Sequence, residues 1–140
     1  DYEVQLKETS RLVADAAEIK NWQLVYQSRS GSPAQPWLGP DICDHLRELH
    51  RNGVKNVIVS PVGFVSDHME IIYDLDLEAQ TLSAELGLTM QRAATGGTHP
   101  AFVKMIRELI VERTDPNTPK RFLGSRGPSP DCTMECCFPG

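Results

Sequence analysis

From Ser60 to Glu78 the chain reads SPVGFVSDHMEIIYDLDLE, and three of its acids, Glu70, Asp74 and Glu78, recur every four residues. On a helix this spacing lines three carboxylates along one side over about 12 Å of axis. Hard divalent cations prefer oxygen ligands, and such a line can pass an ion inward without holding it as tightly as a closed cage. The same groups can carry protons. His68 adds an imidazole that suits a ligand, a general base or a hydrogen-bonding support. Two plainer readings fit the same residues: a solvated acidic face, or a capping box in which Asp67 caps the helix and Glu70 reaches back. Position argues for chemistry, because the ladder begins at the N-terminal end of a helix that follows a strand and loop. In α/β proteins, ligands bind at that end of the sheet.

An ideal α-helix turns about 100° per residue, which offsets Glu70 from Asp74 by about 40° and from Glu78 by about 80°. A π-type turn has a wider coil, brings residues four apart closer to one line and occurs mostly at functional sites. The spacing therefore predicts a π-bulge or local widening between Glu70 and Glu78, with Glu70 facing a cleft and Glu78 near solvent.

Cysteine supplies the second cluster. Of four cysteines, Cys132, Cys136 and Cys137 lie within six residues of one another close to the C-terminus. A secreted disulfide domain spreads its cysteines through the fold, whereas a dense group in a chain without an export signal more often binds a metal or cluster.

The surrounding pattern alternates helices and strands. Leu6, Leu12, Val13 and Ala16 predict a helix over Tyr2–Ala17, and Trp22–Gln27 reads as a strand. A Gly/Ser/Pro-rich loop, Ser28–Pro40, contains Trp37 and is long enough to suggest function. Asp41–Arg51 fits a helix with Ile42, Leu46 and Leu49 inward and Gly53 past its end. Asn56–Val59 is a β-branched run suited to a buried parallel strand. The longest helical pattern runs from Asp67 to Leu86, stopped by Gly87, and Thr89–Ala93 is a weak strand. Thr98 is the expected cap of a helix from His99 to about Arg113, with Phe102, Met105, Ile106, Leu109 and Ile110 at core spacing. Asp115–Gly140 has no periodicity. This order is the signature of an α/β layer with a mainly parallel sheet.

Composition removes some classes. At 140 residues, 40% hydrophobic and 24% charged, the chain has the balance of one globular domain. A net charge of −5 offers no basic patch for nucleic acid. No apolar run approaches the roughly 18 residues that span a bilayer, so the expected place is cytoplasmic or at most membrane-peripheral. Opening on Asp1, directly into helical periodicity, suggests an excerpt or processed product of something longer.

The segment GFVSDHMEIIYDLDLE resembles the signature region of ferrochelatases, which carry Ser-Asp-His-x-Glu and acids four and eight residues further on. YQSRSG at Tyr26–Gly31, PWLGPD at Pro36–Asp41 and RAATGGTHPAF at Arg92–Phe102 are similar to further family segments in the same order. The resemblance implies one lobe of the two-lobed chelatase fold, a three-layer α/β sandwich over residues 1–114 with a Pro/Gly-rich tail over 115–140. It implies a lyase that inserts Fe2+ into a porphyrin in haem biosynthesis. By position, Glu70 matches the catalytic glutamate, and Asp74 and Glu78 continue its acidic path for Fe2+. Trp37, Phe64, Asp67 and His68 match residues of the porphyrin cleft or its immediate support. Metalation releases two pyrrole protons from a bent macrocycle, which calls for proton acceptors on a rigid wall and aromatic surface against the ring.

One feature departs from the family pattern. The invariant histidine assigned to iron or proton binding belongs to the first lobe, and His45, His50, His68 and His99 do not match it, so an N-terminal lobe is expected as partner. The tail resembles that of iron–sulfur-containing bacterial members, implying Cys132, Cys136 and Cys137 as ligands of a [2Fe–2S] cluster whose fourth ligand lies outside this chain. Zinc and free thiols are the other readings of the tail, and Cys43 reads as a core or surface thiol. Members of that branch generally resemble coproporphyrin users, which puts coproporphyrin III ahead of protoporphyrin IX. A non-catalytic tetrapyrrole- or metal-binding module would keep Trp37 and the ladder. A cobalt or nickel chelatase commonly carries a His-rich metal site instead.

Overall fold

A computed structural model of the chain describes residues 2–27, 37–125 and 127–128. Most of the Gly/Ser/Pro-rich loop and the cysteines Cys132, Cys136 and Cys137 lie outside the described residues. Two units divide the chain, Asp1–Gly97 and Thr98–Gly140.

The first unit opens on α1 (Tyr2–Ala16), whose surface is laced by pairs three and four residues apart. Glu3 meets Lys7 at 2.8 Å and Arg11 meets Asp15 at 2.7 Å, while Arg11 also holds Glu8 through two bonds of 2.9 Å. The helix closes with the Ile19 amide donating to the Ala14 carbonyl and the Glu18 amide to that of Asp15. This is a Schellman closure, and Glu18 stands at φ 56°, where glycine is the usual residue. The left-handed conformation costs a residue with a Cβ about 1–2 kcal/mol. Glycine's extra freedom in the unfolded chain takes back about 0.5–1 kcal/mol. Glu18→Gly is therefore expected to stabilise the fold by about 0.5–1 kcal/mol, seen as a higher urea midpoint at constant slope. A lower midpoint would refute the strain at this turn.

Trp22–Gln27 is not a strand. Among the described residues it makes a single parallel bridge, Tyr26 to Asp41, with the Tyr26 amide donating to Pro40 and the Ile42 amide to Tyr26. Pro40 has no N–H to extend the ladder on one side, and on the other the chain turns at once into α2 (Ile42–Arg51). The side chain of Asp41 caps α2, accepting from the amides of Cys43 at 2.8 Å and Asp44 at 3.4 Å. Gly53 at φ 77° ends it.

β1 (Asn56–Val59) and β2 (Thr89–Arg92) form a parallel pair in the register Asn56 to Thr89 through Val59 to Arg92. Between them runs one helical stretch composed of α3 (Met69–Ile71), a π-helical segment (Ile72–Ala79) and α4 (Gln80–Glu85). The α/β class and parallel sheet expected from the element order are what the chain forms. The core is Ile42, Leu46, Ile71, Leu75, Ala79, Leu88 and Met90, with Val57 and Val59 packed against it, so the helices cover one face of the sheet. On the other face Ile58 is 70% exposed.

The second unit contains α5 (Pro100–Thr114). Its cap is His99 and not Thr98: the His99 Nδ1 accepts from the Ala101 amide at 3.2 Å. Pro100 explains the shift, because a proline at the first helical position pushes the residue before it into extended geometry, and His99 sits at ψ 133°. The expected burial of Phe102, Met105, Ile106, Leu109 and Ile110 is also corrected. No residue of α5 is buried, and all of these except the half-buried Phe102 are exposed. Helical spacing identifies a face that would gain from cover and says nothing of where the cover comes from. Beyond α5, Asp115 accepts from the Asn117 amide at 2.9 Å and the Thr118 hydroxyl at 3.0 Å, and these bonds hold its carboxyl below the usual range.

Candidate active site

The loop after β1 and the turn after β2 are tied at the C-terminal edge of the sheet, where the Gly97 amide donates to the Val65 carbonyl at 2.7 Å and the Ala93 amide to Val59 at 2.8 Å. The helical run starts from this edge. Its N-cap residue is His68, which makes no side-chain cap bond, so the capping box of Asp67 and Glu70 is not formed. Phe64 meets the His68 ring edge-on, with centroids 5.1 Å apart. It also packs on the core.

Burial records the pitch of the run. Ile71, Leu75, Ala79 and Ser83 are four apart, and each is no more than 1% exposed. Over those twelve residues a regular α-helix would carry the line about 120° around its axis. The wider π-helical segment keeps it facing the core, and the widening expected between Glu70 and Glu78 is present over Ile72–Ala79. The same repeat governs the neighbouring positions. Glu70, Asp74 and Glu78 form one row. Beside them Met69, Tyr73 and Leu77 form another, exposed by 76%, 52% and 53%. Large apolar side chains left in water next to carboxylates are not what a solvated acidic face requires.

His68, Met69, Glu70, Tyr73 and Asp74 line an open depression of about 660 Å³. Three residues singled out from the sequence, His68, Glu70 and Asp74, thus share one surface. Glu78 is exposed and outside it, near enough to Cys43 on α2 to act on its thiol. Trp37 is exposed and Phe64 half-buried, and neither is among the lining residues. Met69 and Tyr73 were missed, although both immediately precede an acid of the ladder. Among the described residues no three His, Cys, Asp or Glu side chains form a closed metal cage.

Asp67 is engaged elsewhere. Arg92, the last residue of β2, donates from Nη1 to Asp67 at 2.8 Å, while its Nε and Nη2 take the two Asp76 oxygens, the latter at 2.8 Å. The bond to Asp76, reinforced by the charges of Asp76 and Asp67, holds the guanidinium more firmly protonated than usual against the opposing effect of burial. Sequence reasoning missed Asp76 and the role of Arg92, because the contacts span 16 and 25 residues and no local spacing announces them.

A family model described as Ferrochelatase matches residues 1–114. The chain is 50% identical over 140 residues to a ferrochelatase of Rhodopirellula baltica, covering 99% of this chain and 40% of that protein. It is 47% identical to the coproporphyrin III ferrochelatases of Streptomyces griseus and Nocardia farcinica, covering 97% and 99% of this chain and 39% and 41% of theirs. The chain belongs to the ferrochelatase family. It spans about two fifths of the length of the curated relatives it matches.

Proposed function

We propose that these residues form the acidic wall of a ferrochelatase, a lyase that exchanges two pyrrole protons of a porphyrin for Fe2+ in haem synthesis. Glu70 accepts protons at the macrocycle face, and Asp74 and Glu78 lead Fe2+ inward or protons outward. The row of Met69 and Tyr73 gives apolar surface for the ring, while Phe64 steadies His68 from behind. Asp67 supports the site through Arg92, and Trp37 stands at the end of the active-site loop. The observation that carries this reading is the alignment of Glu70 and Asp74 beside exposed Met69 and Tyr73 on one depression. The match over residues 1–114 supports a lobe ending there and a tail over 115–140. The opposite wall, with its histidine, comes from a second lobe beyond these residues. Coproporphyrin III is the first substrate, supported by the names of two relatives, and protoporphyrin IX the second. Among the described residues no helix is long and apolar enough to cross a membrane. A cytoplasmic or membrane-peripheral place suits the enzyme.

Zn2+ insertion into coproporphyrin III, followed by fluorescence, tests the proposal. The protein as its gene encodes it should metalate the porphyrin, and the 140-residue chain alone should not exceed the uncatalysed rate. Porphyrin binding without turnover by the whole protein would favour a binding module and overturn the enzymatic reading. Turnover by the 140 residues alone would overturn the two-lobe reading.

The tail reading is narrower. Cys132, Cys136 and Cys137 are one thiolate short of the four that a [2Fe–2S] centre takes. Cys43 does not suit the fourth place: burial first, then the Asp41 and Glu78 carboxylates, push its thiol up and away from thiolate character. If a cluster is held, each Cys→Ser change in the whole protein, purified without oxygen, should bleach the visible absorbance. Unchanged absorbance for any one of them removes that residue from the ligand set.

A further inference from the structure

Arg92 lies outside the depression but holds two residues that flank its lining in sequence. Through Asp67 it holds the residue just before the His68 cap, and through Asp76 it holds the middle of the π-helical segment, between Asp74 and Glu78. Its side chain is only 16% exposed, and its backbone is fixed by the β2 ladder opposite Val59. Three donors of one planar fork are thus divided between two carboxylates, and one of those grips is bidentate. A lysine ammonium cannot reproduce that geometry. The anchored segment is of a rare kind. π-helical turns are uncommon and persist at functional sites, where the surroundings over-determine them. Ile71, Leu75 and Ala79 bind the run to the core from one side, but apolar contact alone would accept rotation or tightening of the coil.

We propose that Arg92 is a positioning residue for metalation: by clamping Asp67 and Asp76 it keeps Ile72–Ala79 in π-helical pitch and so holds Glu70 and Asp74 on one line. The clamp also neutralises the two carboxylates nearest the ladder that have no part in it. This deepens the chelatase reading and rests on it, but its physical core concerns pitch and can be read without turnover.

Hydrogen exchange and kinetics separate the two. In the whole protein, Arg92→Gln should speed amide exchange over Ile72–Ala79 by tenfold or more while leaving α2 within twofold. Zn2+ insertion should fall at least tenfold in kcat, with coproporphyrin affinity within about threefold. Arg92→Lys should resemble Arg92→Gln, since charge without the fork cannot hold both partners. Asp76→Asn should also lower kcat, and the Arg92→Gln/Asp76→Asn double variant should be no worse than Arg92→Gln alone. Unchanged exchange over Ile72–Ala79 in Arg92→Gln would overturn the clamp. So would full activity in Arg92→Lys, or losses that simply multiply in the double variant. If Arg92→Gln fails to fold, Asp67→Asn removes one arm only and must still speed exchange at the start of the segment, or the proposal fails. A whole protein that shows no metalation before any substitution overturns the chelatase reading and leaves the exchange result to decide the clamp.

Discussion

Glu70→Gln in the whole protein is expected to lower kcat for Zn2+ insertion into coproporphyrin III by about 10²–10⁴-fold, the range typical for loss of a proton-transferring group. The substitution keeps size and shape but leaves an amide that cannot take a pyrrole proton. Glu70 lines the depression beside Tyr73, so porphyrin affinity, which rests on apolar contact, should stay within a few-fold. Asp74→Asn should act mainly through the KM for Zn2+, because its place one step along the row suits delivery. Glu78→Gln should be mildest, since Glu78 is exposed and outside the depression. Stopped-flow fluorescence with both substrates varied gives the separate constants. Near-normal kcat in Glu70→Gln would remove it from the chemistry and point to the opposite lobe for proton removal.

Leu75→Ala should have the largest effect on stability, a loss of about 2–5 kcal/mol, as expected when a fully enclosed side chain leaves a cavity behind. Leu75 is 1% exposed in the core formed with Leu46, Ile71 and Met90, and the π-helical segment has little room to collapse around a void. The control is two residues away. Leu77 belongs to the exposed row, and Leu77→Ala should stay within about 0.5 kcal/mol, as surface changes do. Urea unfolding of both variants measures the difference. Equal losses would mean that the rows are misassigned and that the run does not keep a four-residue repeat.

That repeat was legible in the sequence because spacing is a local quantity. The acids at Glu70, Asp74 and Glu78 and the apolar residues at Ile71, Leu75 and Ala79 share one period, and only a coil wider than the α-helix brings both onto straight lines. β1 and α2 were legible for the same reason, each carrying its own apolar pattern, whereas β2, with Met90 as its one apolar residue, read only as a weak strand. Trp22–Gln27 was not legible, because a strand is defined by its partner, and Pro40 and α2 leave Tyr26 one bridge among the described residues. The start of α5 turned on a single proline, whose effect on His99 outweighs the intrinsic preference of Thr98 for a cap. Arg92 and Asp76 were invisible for a third reason: an ion pair between a strand end and a helix middle has no sequence period at all.

The π-helical segment also bears on how relatives should be compared. A π-turn differs from an α-turn by one residue between bonded partners, so a single deletion within Ile72–Ala79 would allow the coil to tighten. Such a gap would lower percentage identity by less than one ordinary substitution cluster does, yet positions within the segment would turn toward different neighbours. Asp76 would leave Arg92, and the carboxylates on either side would no longer share a direction. For this stretch, the count of residues between Glu70 and Glu78 says more about shared chemistry than the fraction of letters that agree.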